Sequence, residues 1–510
     1  MPSNGECITL CIGQAGCNIG EDVWELFCKE HNIDQHGRRT RPSSEEKPKS
    51  LVQEEEDNTF RSFFSDTHAA SPQYVPRAVF VDTDPSTRNE MLTGNNRDLF
   101  HPESILGYKQ DCKNIFFEGR HMASDAGFKI KEDVMDRIRL TVDLCGNLQG
   151  FFVFHSFGGG TGSGLGTEVL HALHDAFDKK TIFQPVIYPS NQFSSSIVEP
   201  YNCIFSTYFM RDVVDVSLML DNQAAYKVCE NKLNIKQPTF DHVNRLIAQC
   251  ISSCTTSLRF ETQLSSTLVE IVTNIVPTQH YRYPIVSLAP VRARDKQNHE
   301  TFVEEEIVTE LFESKNVLCD VTHLKQNRYL SAVVLLRGIA SQHKDRKKGQ
   351  DEEMEKSVEA NHVIHALHNL KDGTHRSPLK FVPWITSGFK VGLVGVPPCI
   401  VDDDKCMAKT ERNGAMLGNS TAVRQLFVRQ YCKFLKLFYR RAYVWQFLES
   451  TGEIEAFYDA REGVREIIGH YEELLRECVR SENAKYDGNT ILQLSGETAL
   501  LEGTAAQGGS

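Results

Sequence analysis

Phe157–Gly158–Gly159–Gly160–Thr161–Gly162–Ser163–Gly164 is the stretch that decides the reading of this chain. The apolar run Phe151–Phe152–Val153–Phe154 precedes it and reads as a buried parallel strand. Gly166 to Ala176 follows it, with Val169, Leu170, Leu173 and Ala176 at helical spacing. Strand, glycine loop and helix in that order aim backbone N–H groups and a helix N-terminus at one point, which suits a phosphate. Glycine serves there because a side chain would block close approach and because the turn calls for positive φ. Thr161 and Ser163 add hydroxyl donors. The loop carries no lysine, so it is not a P-loop, and G-x-G-x-x-G counted from Gly158, Gly160 or Gly162 fails at its last position. A flexible linker is the competing reading, and the flanking strand and helix argue against it.

The same grammar repeats upstream. Cys7 to Ile12 reads as a first strand, and Gly13–Gln14–Ala15–Gly16–Cys17–Asn18–Ile19–Gly20 follows directly. Ile19, Val23, Leu26 and Phe27 then recur at helical spacing. Ala78 to Val81 is another short apolar strand, ending in Asp82–Thr83–Asp84–Pro85. Val134, Ile138, Val142 and Cys145 share one helix face just before Phe151. This alternation predicts a mainly parallel sheet with helices on both faces.

Two stretches break the order. Residues 37–58 and 342–356 are dense in charge and poor in apolar residues, and both read as solvated surface loops. A regulatory or partner-binding role is the alternative. Further on, Leu426, Leu435, Phe438, Ala442 and Trp445 predict one long helix from Ala422 to Leu448. Thr451–Gly452 ends it, and Phe457, Ala460, Val464, Ile467, Tyr471, Leu474 and Cys478 mark a second helix. Two long helices joined by a tight turn are expected to pack antiparallel. Asp487 to Ser510 is small and polar and is expected to be mobile.

Composition sets bounds. A chain of 510 residues, 40% of them hydrophobic, holds two or three domains with a large core. No apolar run reaches the length of a membrane span, and Met1 to Glu6 lacks the basic and apolar regions of a signal peptide. The fifteen cysteines show no paired or zinc-ligand spacing and read as reduced thiols of a cytosolic protein. The net charge of −12 argues against nucleic acid as the main partner.

Gly13–Gln14–Ala15–Gly16, Phe154–His155–Ser156 with the glycine loop, Val198–Glu199–Pro200–Tyr201–Asn202, Asp221–Asn222 and Asn244–Arg245–Leu246–Ile247, in this order, resemble tubulin from about Glu6 to about Cys478. The resemblance implies an α/β fold with three parts: a GTP-binding domain over 1–221, an α+β intermediate domain over 222–420, and a C-terminal antiparallel helix pair with a short tail over 421–510. Within the family the chain looks like the alpha type. Val79–Phe80–Val81–Asp82, Leu148–Gln149–Gly150–Phe151, Ser257–Leu258–Arg259–Phe260 and Gly388–Phe389–Lys390–Val391–Gly392 carry that likeness, as does the long stretch from Pro398 to Asn419. Glu270 falls at the position of the alpha subunit's catalytic glutamate, where the beta type has lysine.

By resemblance, Gln14, Ala15 and Asn18 touch the nucleotide from the first loop. Asp82 and Asp84 lie on the Mg²⁺ side of the phosphates. Asn114 binds the phosphate end, and Gly160, Thr161 and Gly162 cradle the phosphates through backbone N–H groups. Ser195 and Glu199 contact the sugar region. Asn222 and Asn244 read guanine edges with amide donors and acceptors, and Phe240 stacks on the base. Asp111, Ser156 and Gly159 complete the set. Taken singly, Asn222 reads equally as a helix cap and Phe240 as plain core. The alpha type is expected to hold GTP without hydrolysing it. Glu270 then acts as a general base on the GTP of the adjacent beta subunit. Without the resemblance, Glu270 is an ordinary helix-surface carboxylate.

The chain departs from the alpha pattern in places. Thr267 stands where an aspartate is usual, Asp84 replaces a glutamate, Asn18 a glutamine and Phe240 a tyrosine. The charged stretches 37–58 and 342–356 are longer than usual. The chain ends Gln507–Gly508–Gly509–Ser510 in place of a glutamate-rich tail with a terminal tyrosine, which argues against tail-directed modification and tail-dependent motor binding. The resemblance therefore implies a structural GTP-binding subunit of cytoplasmic microtubules, pairing with beta-tubulin and meeting associated proteins and motors, or one used in axonemal or other specialised arrays. A tubulin-like protein that docks on or caps such arrays is the alternative. A self-contained nucleotide enzyme is a third class, and no catalytic dyad or metal cluster suits it.

Overall fold

The computed structural model describes residues 5–39, 59–67, 73–94, 96–124, 127, 129–190, 192, 194, 196–260, 267–296, 303–322, 324–338, 351–371, 379–385, 387–401, 407–451 and 453–483. Short runs, most of them apolar and the central ones buried along their whole length, form its strands. They are β1 (Glu6–Ile12), β2 (Phe64–Asp66), β3 (Tyr74–Pro76), β4 (Ala78–Asp82), β5 (Ile105–Gly107) and β6 (Leu148–Ser156). They continue with β7 (Thr181–Tyr188), β8 (Val216–Asp221), β9 (Ile285–Ala289), β10 (Tyr329–Arg337), β11 (Phe389–Val394) and β12 (Asn413–Ser420). Strands β2 and β3 pair as a small hairpin. The other ten form one sheet in the order β11-β10-β12-β9-β8-β7-β6-β1-β4-β5. From β9 to β5 every neighbouring pair is parallel, and β12 runs antiparallel to both its neighbours.

Parallel strands need crossovers, and helices supply them. The Gly13–Glu30 helix lies so close over β6 that a Cβ on Gly16 would stand 2.2 Å from the Phe154 carbonyl oxygen. On the other face, the Gly166–Ala176 and Glu199–Met210 helices pack together. The expected helix at 166–176 coincides with the observed one.

A charged cluster is buried beside the end of the first helix. Glu30 pairs with Arg259 at 2.6 Å and with Arg337 at 2.7 Å, and the three side chains are at most 1% exposed. Burial alone would raise the Glu30 pKa, but the two guanidinium groups hold it down to about 2. Burial lowers the pKa of neighbouring His31 to about 3, with Arg259 adding to the effect, so this ring is neutral.

The C-terminal helices differ from their expectation. The helix expected over Ala422 to Leu448 is two helices, Arg424–Tyr439 and Val444–Thr451. Arg441 and Tyr443 adopt positive φ between them (51° and 60°), and the Ala442 carbonyl accepts a hydrogen bond from the Tyr201 hydroxyl. The bend brings Phe447 against Tyr201, Phe205 and Phe457, which a straight helix would carry away. The long Glu455–Asn483 helix then packs against Arg424–Tyr439 and Glu199–Met210. The charged stretch 342–356 is not all loop either. Residues 351–356 open the Asp351–Lys371 helix. Residues 40–58, 342–350 and the tail from 487 lie outside the described residues.

Candidate functional site

Parallel strands β1, β4, β6, β7 and β8 end on one edge of the sheet, where α/β folds place ligands. The loops expected to bind a nucleotide leave from that edge. Ile12 ends β1, and Gly13 turns the chain into the first helix with φ +73°. Gln14 there is exposed, and Ala15 and Asn18 are half-buried. A Cβ on Gly13 would stand 3.0 Å from the Gly162 nitrogen, so the first loop and the glycine loop touch.

The glycine loop turns at Phe157–Gly159 after β6 and runs through a π-helical turn, Thr161–Leu165, into the Gly166–Ala176 helix. None of its glycines takes the positive φ expected of it, so close packing alone accounts for them. The Ser156 hydroxyl accepts the Gly158 N–H at 3.1 Å and fixes the start of the turn. A Cβ on Gly160 would lie 2.8 Å from the Ile115 nitrogen, and one on Gly162 would lie 2.8 Å from the Ser156 carbonyl oxygen. Gly159 differs, because no protein atom stands within 4 Å of the Cβ it lacks. The loop thus packs on the protein through Gly160 and Gly162 and opens outward at Gly159. Asp111 and Asn114, on the loop after β5, are exposed beside it.

The two acids after β4 part company. Asp82 is buried, its carboxylate accepting from the Thr87 hydroxyl at 2.7 Å, and burial raises its pKa. Asp84 is exposed and caps the Pro85–Thr93 helix, accepting the Ser86 N–H at 2.9 Å. That hydrogen bond lowers its pKa.

The remaining residues surround this edge. Glu199 is buried and accepts from the Ser194 hydroxyl at 2.7 Å and the Ser196 N–H at 3.3 Å. Ser195 lies outside the described residues. Asn222 is the first residue of the Asn222–Asn231 helix, and Asp221 supplies its cap. Phe240 opens the Phe240–Cys254 helix behind a Thr239–His242 capping box. It is 64% exposed, edge-on to Tyr226 with centroids 6.0 Å apart. That helix packs against Gly13–Glu30 and Asn222–Asn231. Asp22 senses the charges of Arg245 and Asp241 across the contact, so Asn18 and Asn244 sit within a turn of the same meeting point.

Glu270 is elsewhere. It lies half-exposed on the Leu268–Ile275 helix, which docks at the opposite end of β6 where the Leu268 N–H donates to Gln149 Oε1 at 3.1 Å. Nine residues at roughly 3.3 Å each separate the two ends of that strand. Lys390 Nζ stands 2.9 Å from Glu270 Oε2. Thr267 caps this helix, its hydroxyl accepting the Glu270 N–H at 3.2 Å.

Two residues given no role from sequence bind the loops together. The Thr83 hydroxyl lies 2.7 Å from that of Thr161, and the buried Asn202 amide bonds backbone atoms of both the Asn114 turn and the glycine loop. Asn202 stands in a stretch already singled out, as a polar residue among apolar ones on a buried helix.

A model of the Tubulin/FtsZ family GTPase domain matches residues 6–230, and a model of the tubulin C-terminal domain matches 277–359 and 352–431. The chain belongs to the tubulin family. The matched GTPase domain of this tubulin-family chain contains all the strand-end loops just described, and it implies GTP as the nucleotide. A glycine loop at a strand end, with space left open beside Gly159, suits that ligand, whereas the Ser163 hydroxyl, expected as a donor, is buried and donates to the Gly159 and Gly160 carbonyls. Among the described residues no group of three His, Cys, Asp or Glu is placed to hold a metal ion. Mg²⁺ in nucleotide sites commonly takes one or two carboxylates plus phosphate oxygens, and Asp82 and Asp84 are carboxylates this edge offers. No helix among the described residues is long and apolar enough to cross a membrane.

Proposed function

We propose that this chain is an alpha-type tubulin subunit that holds GTP and Mg²⁺ at its strand-end site, pairs with a beta-tubulin, and presents Glu270 to the nucleotide of the next beta subunit in a filament. One observation supports this reading above the others. The glycine loop and Glu270 stand at opposite ends of β6, so this carboxylate has no access to its own chain's site and is open to a neighbouring molecule.

The nucleotide and metal held by the neighbouring beta subunit would supply the transferable phosphoryl group and neutralise its charge, while this chain's own GTP stays whole. The chain's own residues do the rest. Gly160, Thr161 and Gly162 offer backbone N–H groups to the phosphates, Asp82 offers a carboxylate to the metal, and Phe240 offers an exposed ring to the base. Glu270, steadied by Lys390, accepts a proton from an attacking water at the neighbour's site. A positioned base of this kind contributes about 10²–10⁴-fold. Exposed Trp445, on the helix that packs beside Phe116–Ser124, gives a partner an apolar surface to cover.

Assembly with beta-tubulin tests the proposal. Phosphate release should follow polymerisation in the wild type and fall by orders of magnitude in Glu270→Ala, with polymer still forming. Unchanged release in that variant would overturn the role of Glu270. A second reading, a tubulin-like chain that docks on or caps specialised arrays, draws on the Lys390 ion pair that already engages Glu270. Failure to co-sediment with polymer would favour it.

A further inference from the structure

The side chain of Asn202 is fully buried, and three of its four hydrogen-bonding positions are spent on two loops. Its Nδ2 donates to the Asn114 carbonyl at 2.7 Å and to the Gly158 carbonyl at 2.8 Å. Its Oδ1 accepts the Phe116 N–H at 3.0 Å. One amide thus ties the turn at 113–116 to the glycine loop.

That turn needs tying. Lys113 and Asn114 both hold positive φ, 50° and 57°, in a region that costs side-chain-bearing residues energy and persists only when the surroundings enforce it. The two loops also touch directly, since a Cβ on Gly160 would lie 3.0 Å from Asn114 Cα. The base of the clasp is firm. Asn202 sits in the first turn of the Glu199–Met210 helix, which the Tyr201 hydroxyl anchors to the Ala442 carbonyl and which packs against two C-terminal helices.

We propose that Asn202 is a positioning residue, which sets the turn at 113–116 and the glycine loop in the arrangement that receives the nucleotide phosphates. It touches no ligand itself and acts through the backbone it holds. The proposal rests on the nucleotide reading of this edge. Asn202→Asp is the sharpest variant, because it keeps the shape and the bond from Phe116 N–H and turns both donated bonds into oxygen–oxygen repulsion. Ser206→Ala is the control. Its hydroxyl is buried one turn along the same helix, donates to the Asn202 carbonyl at 2.8 Å, and bonds neither loop among the described residues.

The full chain, in the assembly in which it purifies and after its resident nucleotide has been stripped, is titrated with a fluorescent GTP analogue and followed by amide hydrogen exchange. In Asn202→Asp, nucleotide affinity should fall on the order of tenfold or more, since the two bonds lost are replaced by unsatisfied carbonyls. Exchange should quicken at 113–116 and 158–160 while the sheet keeps its protection. Ser206→Ala should lose stability with affinity unchanged. Wild-type affinity and wild-type loop exchange in Asn202→Asp would overturn the proposal, and so would equal loss of affinity in both variants. If Asn202→Asp does not fold, Asn202→Ser is read in the same way. If the wild type itself takes no nucleotide, the reading of the edge fails, and the exchange measurement still decides the clasp.

Discussion

The hydroxyl of Thr83 stands 2.7 Å from the hydroxyl of Thr161, which joins the end of β4 to the glycine loop. Thr83 is fully buried and Thr161 is half-exposed at the candidate site, so one side chain orients the other. Thr83→Val keeps the shape and removes the hydroxyl. Nucleotide affinity should fall by about 1 kcal/mol, the usual net value of one hydrogen bond, and Thr83→Ser should restore it. Nucleotide titration of the two variants decides this.

Two glycines of the loop should answer to alanine in opposite ways. A Cβ on Gly164 would stand 1.9 Å from the Phe116 carbonyl oxygen, whereas one on Gly159 meets no protein atom within 4 Å. Gly164→Ala should therefore destabilise the fold by several kcal/mol, at about the upper end for single substitutions. Gly159→Ala should leave the melting temperature unchanged and weaken nucleotide binding, because its methyl group enters the ligand's space. Normal binding by a folded Gly159→Ala protein would mean that no phosphate lies there.

Asp22 gives stability a pH slope. Burial, with Glu25 adding, raises its pKa to about 7, against the opposing effect of Arg245. The folded state therefore binds this proton more tightly than the unfolded state. The stabilisation is complete below the unfolded value near 4 and is lost as pH rises through about 7. Asp22→Asn should flatten the stability profile between these limits, as urea unfolding across that range would report.

Glu30 slopes the other way. Its pKa is held at about 2, so its contribution is present above the ordinary carboxylate range and is lost as pH falls toward 2. Glu30→Gln leaves Arg259 and Arg337 buried without their carboxylate. The expected loss is about 3–5 kcal/mol, measurable by denaturant unfolding at neutral pH.

The strand, glycine loop and helix at 151–176 were legible because their order rests on local periodicity and on glycine where backbones meet. Asp84 was only half legible, since an acid before Ser and Pro reads as a helix cap and a metal ligand alike. Asn202 could not be read, because its partners lie 44 and 88 residues away in sequence. The bend at 441–443 was hidden for a similar reason. No glycine or proline marks it, and the Tyr201 hydroxyl that meets Ala442 comes from 241 residues upstream.

The nucleotide bound to the purified complex of this chain with a beta-tubulin is the quantity to measure first, before and after polymerisation. GTP retained on this subunit throughout, with GDP appearing on the partner only after assembly, is the expected result. A complex that holds no GTP on this chain, or partner GDP that accumulates without assembly, would contradict the alpha-type role.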